Sequence, residues 1–83
     1  MSDNIDFIPV RRRRLSEELA DRIMGSIAAG RLRPGDQLPP ITGMARSFRV
    51  APATVREALA HLEAKRIVEI RQGAGVFIAA SAA

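Results

Sequence analysis

The arginines of this sequence are its side chains best suited to chemistry, and their chemistry is recognition of anions. Twelve of the thirteen basic residues are arginine, and the formal net charge is +4. A guanidinium stays charged and binds phosphates or guanine edges through paired hydrogen bonds. Four arginines stand consecutively at residues 11–14, and Arg56 lies in a segment with helical spacing. The charge is compatible with a nucleic-acid partner without proving one.

Catalysis, metal binding and membrane insertion find little support in the sequence. There is no cysteine, and His61 is the one histidine, so no spacing typical of a zinc site occurs. The sequence lacks a set of nucleophile, base and orienting group, and we interpret His61 and Met44 as surface or packing residues. Gly73 and Gly75 lack the third glycine of a dinucleotide fingerprint. We expect no enzyme activity, no cofactor, no membrane span, no signal peptide and a cytoplasmic location.

The first half of the chain predicts an arm and one helix. Residues 1–14 have no periodicity and are predicted to form a flexible basic arm. Apolar residues then recur every four positions from Leu15 to Ile27, which predicts a helix. Ser16 is a candidate N-terminal cap, and Gly30 a candidate C-terminal one.

The second half predicts two short helices and a hairpin. Pro34-Gly35 indicates a turn, followed by an extended Gln37-Leu38 and a helix over residues 41–48. A third helix begins at Pro52, with an apolar face on which Val55 and Leu59 lie and with Thr54 and Arg56 directed to solvent. Residues 67–71 and 76–79 are predicted strands around a glycine-containing loop, and residues 80–83 a tail.

This order predicts an α+β fold, a winged helix-turn-helix spanning residues 15–79. The recognition helix, about residues 52–64, is expected in the major groove of double-stranded DNA. Arg56 suits a guanine, and the hydroxyls of Thr42 and Thr54 suit phosphates. The candidate DNA contacts are Arg56, Thr54, Thr42, Arg46, Arg49, Pro52, Gln72, Gly73, Arg11, Arg12, Arg13 and Arg14.

Four segments resemble the DNA-binding domain of the GntR family. They are LSEELADRI at residues 15–23, GRLRPGDQLP at residues 30–39 and TVREAL at residues 54–59, with GAGVFI at residues 73–78 in the wing. The resemblance implies a bacterial repressor or activator that dimerises on a palindromic operator and carries a C-terminal sensing domain. It also implies that the wing, residues 71–76, lies at the minor groove. The arginines before residue 15 favour the FadR-like branch.

The chain departs from the family pattern where the family contacts DNA. Thr42 and Pro52 stand where arginines are usual, and Ala51 replaces a capping serine. Arg49 stands at a position that favours glycine, and keeping the left-handed turn there would cost of order 1 kcal/mol. The family's operator preference therefore does not transfer.

Two expectations concern partners. The alternative to DNA binding is a winged helix that binds protein, for which an acidic or apolar third helix would be the sign. Alone, this chain is expected to be monomeric, because its apolar helix faces are used by one small core. The full-length form is expected to be a homodimer.

Overall fold

The computed structural model describes residues 10–82, which form three helices followed by a two-stranded antiparallel sheet. This is the order of a winged helix-turn-helix, and it confirms the predicted fold class. The elements are α1 (Val10–Ala28), α2 (Ile41–Phe48), α3 (Pro52–Ala64), β1 (Val68–Arg71), β2 (Gly75–Ile78) and a short 3₁₀ helix (Ala80–Ala82).

The core forms where α1 and α2 pack on α3 and the sheet closes one side. The apolar face of α3 that was predicted from its spacing is at most 1% exposed at Val55, Ala58, Leu59 and Leu62. Apolar residues of α1, α2, both strands and the segment before α2 join it: Leu19, Ala20, Ile23, Leu38, Met44, Ala45, Val68, Val76 and Ile78. Burying such side chains is the main favourable term in folding, and here it fixes α3 with its opposite face outward.

The start of α1 differs from the prediction. The helix begins at Val10, so the expectation of a flexible arm is wrong for residues 10–14, and residues 1–9 lie outside the described part of the chain. Arginine is a good helix former, and Arg12 lies on the side of α1 that faces α3, 3.9 Å from Glu57. Ser16 is therefore not an N-terminal cap but a fully buried residue in the second turn.

The end of α1 and the following turn agree with the prediction. Gly30 has a φ of 80°, and its N–H donates to the carbonyl of Ile27, while the N–H of Arg31 donates to that of Ser26. These two bonds form a Schellman motif, the ending that a left-handed glycine permits. Gly35, with a φ of 92°, completes the turn after Pro34.

The turn leads into a third extended segment beside the hairpin. Gln37 forms an antiparallel bridge with Phe77 of β2. Around it, the N–H of Leu38 donates to Val76 and the N–H of Ile78 donates to Asp36, each at 2.8 Å. The predicted extended piece is confirmed, and it covers the edge of β2 that β1 leaves open.

The predicted tail is not free of the domain. Residues 80–82 form the 3₁₀ helix, and the Ser81 hydroxyl donates to the carbonyl of Arg66 at 2.8 Å. Ala82 packs against the core. Apolar contact and hydrogen bonds therefore hold this segment, although its small residues show no periodic pattern in the sequence.

Candidate nucleic-acid interface

The outward face of α3 carries one exposed arginine close to the start of the helix. Arg56 lies one turn after Pro52, on the side away from the buried residues. A guanidinium exposed in this place can donate hydrogen bonds to a partner outside the domain. Thr54, in contrast, is 2% exposed, so the prediction that it faces solvent is wrong. The side of α3 on which Thr54 lies is covered by the rest of the domain.

The last turn of α2 and the residue that follows the helix carry two more exposed cations, Arg46 and Arg49. Arg49 adopts the left-handed conformation (φ 58°, ψ 47°), and the N–H of Val50 donates to the carbonyl of Ala45. The helix α2 thus ends as it would with a glycine at this position, and the side chain of Arg49 is exposed. Arg46, in the last turn of α2, is exposed as well. The turn therefore presents positive charge next to the start of α3.

Both helix starts in this region lack a side-chain cap. Thr42 is exposed in the first turn of α2, and Pro52 is exposed at the first position of α3. Ala51 precedes α3 in an extended conformation and supplies no side-chain hydrogen bond, as its type requires. Uncapped N–H groups at a helix start favour an anion, so these two starts suit phosphate oxygens.

The wing ends in an exposed tip braced from outside the hairpin. Gln72 and Gly73 are exposed in the loop that joins β1 to β2, with Gly73 at a φ of 77°. The Gln37 side-chain amide donates to the carbonyl of Ala74 at 3.0 Å. Gly75 lies against the same amide and has a φ of 125°, a backbone conformation that favours glycine. No local sequence pattern indicates this brace, because it depends on the bridge between Gln37 and β2.

The four consecutive arginines at the start of α1 do not form one uniform patch. Arg11, Arg13 and Arg14 are exposed, whereas the side chain of Arg12 is 34% exposed. Nε of Arg12 is buried and lies 3.9 Å from a carboxylate oxygen of Glu57, beyond hydrogen-bond distance. Arg12 is thus directed into the protein, and the remaining arginines are accessible.

A buried hydroxyl joins α1 to the recognition helix. Oγ of Ser16 lies 2.8 Å from Oε2 of Glu57 and 2.9 Å from the carbonyl oxygen of Arg13. Glu57 follows Arg56 directly, and its side chain is 15% exposed. The contact holds α3 against α1 on one side of Arg56. No local spacing indicates it, since the two residues are 41 positions apart.

The wing carries an ion pair that the sequence analysis also missed. Nε and Nη2 of Arg71 donate to one carboxylate oxygen of Glu69 at 3.0 and 2.9 Å. The guanidinium lies over the ring of Phe77, 4.3 Å from its centroid. Because alternate residues of a strand share a face, the separation of two between Arg71 and Glu69 was the available signal.

Other kinds of site find no support between residues 10 and 82. No group of three or more histidine or acidic side chains is clustered as a metal site would require. His61 is exposed and Met44 is 3% exposed in the core, as their surface and packing interpretations predicted. No helix in this range is long and apolar enough to cross a membrane.

Comparisons with known proteins agree on one family. The family model described as bacterial regulatory proteins, gntR family, matches residues 15–78. The mannosyl-D-glycerate transport/metabolism system repressor MngR of Escherichia coli is 42% identical over 64 residues, which are 77% of this chain and 27% of that protein. The chain spans about a quarter of the length of such curated relatives.

Two solved structures are similar over most of the chain. A transcriptional regulator from Oenococcus oeni has a TM-score of 0.79 at 29% identity, covering 96% of this chain and 65% of that one. The DNA-binding domain of AraR, crystallised in complex with operator ORE1, has a TM-score of 0.76 at 25% identity. That match covers 78% of this chain and 79% of the AraR chain. The neighbours share the winged-helix fold.

Proposed function

Because this chain belongs to the GntR family of bacterial regulatory proteins, we propose that it binds a double-stranded DNA operator sequence-specifically, as the DNA-reading part of a transcriptional regulator. The observation that carries the proposal is the outward face of α3. It holds an exposed Arg56 while the opposite face is packed in the core. The AraR domain, which has the same fold, was crystallised on its operator.

Arg56 is the proposed base-reading residue. An α-helix fits the major groove, and a bidentate arginine–guanine pair contributes about 1–3 kcal/mol of discrimination against other bases. Thr42 is exposed in the first turn of α2, Arg46 in its last turn and Arg49 directly after it. All three are proposed to contact phosphates, which fix the position of the recognition helix on DNA. Thr54, which is buried, is assigned to packing, and Pro52 contributes shape without a donor.

The wing and the start of α1 are proposed to extend the interface beyond the major groove. Gln72 and Gly73 stand exposed at the wing tip, where a narrow element can approach the minor groove. Arg11 and Arg14 are exposed on α1 and are proposed to bind phosphates. Arg12 is directed to Glu57, and we assign it to holding α1. An R11A/R14A variant should therefore reduce the log–log slope of affinity against salt concentration by about 0.9 for each phosphate that is no longer bound. R12A should leave this slope unchanged.

In vitro selection from random duplexes, followed by fluorescence anisotropy, tests the proposed function. The selected duplex should bind the 83-residue chain more tightly than a scrambled duplex of equal composition, in the same buffer. Specific regulators prefer their sites over other DNA by roughly 10³–10⁷, and a single domain on one half-site should lie at or below the lower end. Equal binding of both duplexes would refute the proposal and favour a protein-binding winged helix.

The whole regulator is proposed to act as a homodimer on a palindromic operator, in the cytoplasm where the chromosome lies. Alone, this chain is proposed to be monomeric. Between residues 10 and 82, only Val10 and Ile70 are exposed large apolar side chains, too few for the patch that a stable dimer buries. The arginines before residue 15 favour the FadR-like branch. Sedimentation of the free chain tests its state; a dimer at micromolar concentration would contradict it.

A further inference from the structure

We infer that Arg71 is a further DNA contact of the wing, held by Glu69 in the free protein and transferred to a phosphate beside the minor groove on binding. The inference rests on the proposed function. Arg71 is the one basic residue from Val68 to Ile78. It ends β1 and stands directly before the exposed tip residue Gln72. A phosphate that flanks the wing tip would meet this cation first.

The contacts of Arg71 keep its guanidinium ready beside the tip. The side chain is 55% exposed, and its Glu69 partner is 57% exposed. Stacking on Phe77 at 4.3 Å limits the directions that the side chain takes, which reduces the conformational entropy lost on binding. The cross-strand partner of Arg71 is Gly75, so no side chain of that residue separates the guanidinium from the tip.

Exchange of the carboxylate for a phosphate is favourable for two reasons. An ion pair between two exposed side chains is weak, because water and salt screen it. DNA, in contrast, holds a dense row of charges whose condensed counterions are released when a cation binds. Glu69 therefore lowers the charge of the free wing without holding Arg71 strongly.

The contacts of Gln37 with the hairpin fix the position of Arg71 before the exchange. Gln37 holds the carbonyl of Ala74 and forms a bridge with Phe77, the residue under the guanidinium. The tip and the aromatic ring thus keep one position relative to the domain that carries α3. Arg71 can then reach a phosphate at a constant distance from the recognition helix.

A double-mutant cycle on the 83-residue chain tests the inference. Binding of wild type, R71A, E69Q and R71A/E69Q to the selected and to the scrambled duplex is measured between 50 and 200 mM salt. R71A should weaken binding to both duplexes alike, and its log–log salt slope should fall by about 0.9. The ratio of wild-type affinity to R71A affinity should then decrease about 3.5-fold across this fourfold range of salt.

E69Q should tighten binding about 1.5- to 5-fold, the range that the strength of exposed ion pairs implies. This gain should vanish in R71A/E69Q. R33A is the matched control, since Arg33 is exposed next to the turn at Gly35, which bonds to Ile78 at the end of β2 opposite the tip. It should keep the wild-type slope.

Three results would overturn the inference. The first is a salt slope of R71A equal to that of R33A, and the second is a gain in affinity from E69Q that persists without Arg71. The third is a loss of affinity in R71A that is confined to the selected duplex, which would make Arg71 a base contact. Each leaves the proposed function intact as long as wild type prefers the selected duplex. Absence of that preference would refute the proposed function, and this inference with it.

Discussion

Replacing the buried serine of α1 should measurably destabilise the domain. Ser16 is fully buried and lies 2.8 Å from a carboxylate oxygen of Glu57. A hydrogen bond to a charged group contributes about 1.5–3 kcal/mol, and a partly buried carboxylate that loses its donor keeps the desolvation cost. Alanine returns up to about 0.7 kcal/mol, because it is the better helix former. We therefore expect S16A to lower the free energy of unfolding by about 1–2.5 kcal/mol.

Urea unfolding followed by circular dichroism measures this effect. For a domain of this size, each kcal/mol corresponds to a fall of about 4–8 °C in Tm. S26A is the matched control, because Ser26 lies half-buried in the same helix and should change stability by no more than the helix-propensity gain. The m-value should stay unchanged in both variants if only native stability is altered.

The partner variant tests whether the loss belongs to this hydrogen bond. E57A should be destabilised as well, and S16A/E57A should lose less than the sum of the single variants by at least about 0.5 kcal/mol. The carbonyl of Arg13 remains as an acceptor for Ser16 in E57A, so E57A should lose less than S16A. Wild-type stability of S16A, or strict additivity of the two substitutions, would refute the reasoning.

Three further substitutions test the interface and its backbone. R56A should lose about 5- to 150-fold in preference for the selected over the scrambled duplex, the equivalent of 1–3 kcal/mol; equal loss on both would make Arg56 a phosphate contact. R49G should raise the free energy of unfolding by up to about 1 kcal/mol, since glycine relieves the left-handed strain, while flattening the salt dependence of binding by about 0.9; unchanged salt dependence would remove Arg49 from the interface. G75A should cost about 1–3 kcal/mol from its φ of 125°, and Q37A should not rescue it; full rescue would mean that overlap with Gln37 is the whole cost.

The elements that local spacing specifies were predictable. The face of α3 follows from apolar residues at helical spacing, and its start from Pro52. Gly30 and Gly35 mark the end of α1 and the following turn, where a left-handed residue is required. The hairpin follows from two β-branched runs around a glycine-containing loop. In each case the signal and the structure lie within a few residues of each other.

Features that depend on distant partners were not predictable in the same way. Serine is a typical N-cap residue, yet α1 begins before Ser16, because Arg12 and Ser16 both face Glu57 on another helix. Thr54 falls off the ideal apolar stripe and is still buried. Of the interface, Arg56 and the tip residues follow from position in the fold, whereas the Glu69–Arg71 pair required the strand register.

The bridge between Gln37 and Phe77 has a consequence for the order of folding. It joins segments 40 residues apart, so the connection between α1 and α2 cannot complete its hydrogen bonds until the wing has been synthesised. Non-local pairing of this kind pays the entropy of loop closure before it returns any contact energy. During translation, at about 5–20 residues per second, α3 leaves the ribosome before the strand that secures the loop preceding α2. A nascent chain that stops before Gly75 should therefore remain sensitive to proteases, and resistance should arise in one step when β2 emerges.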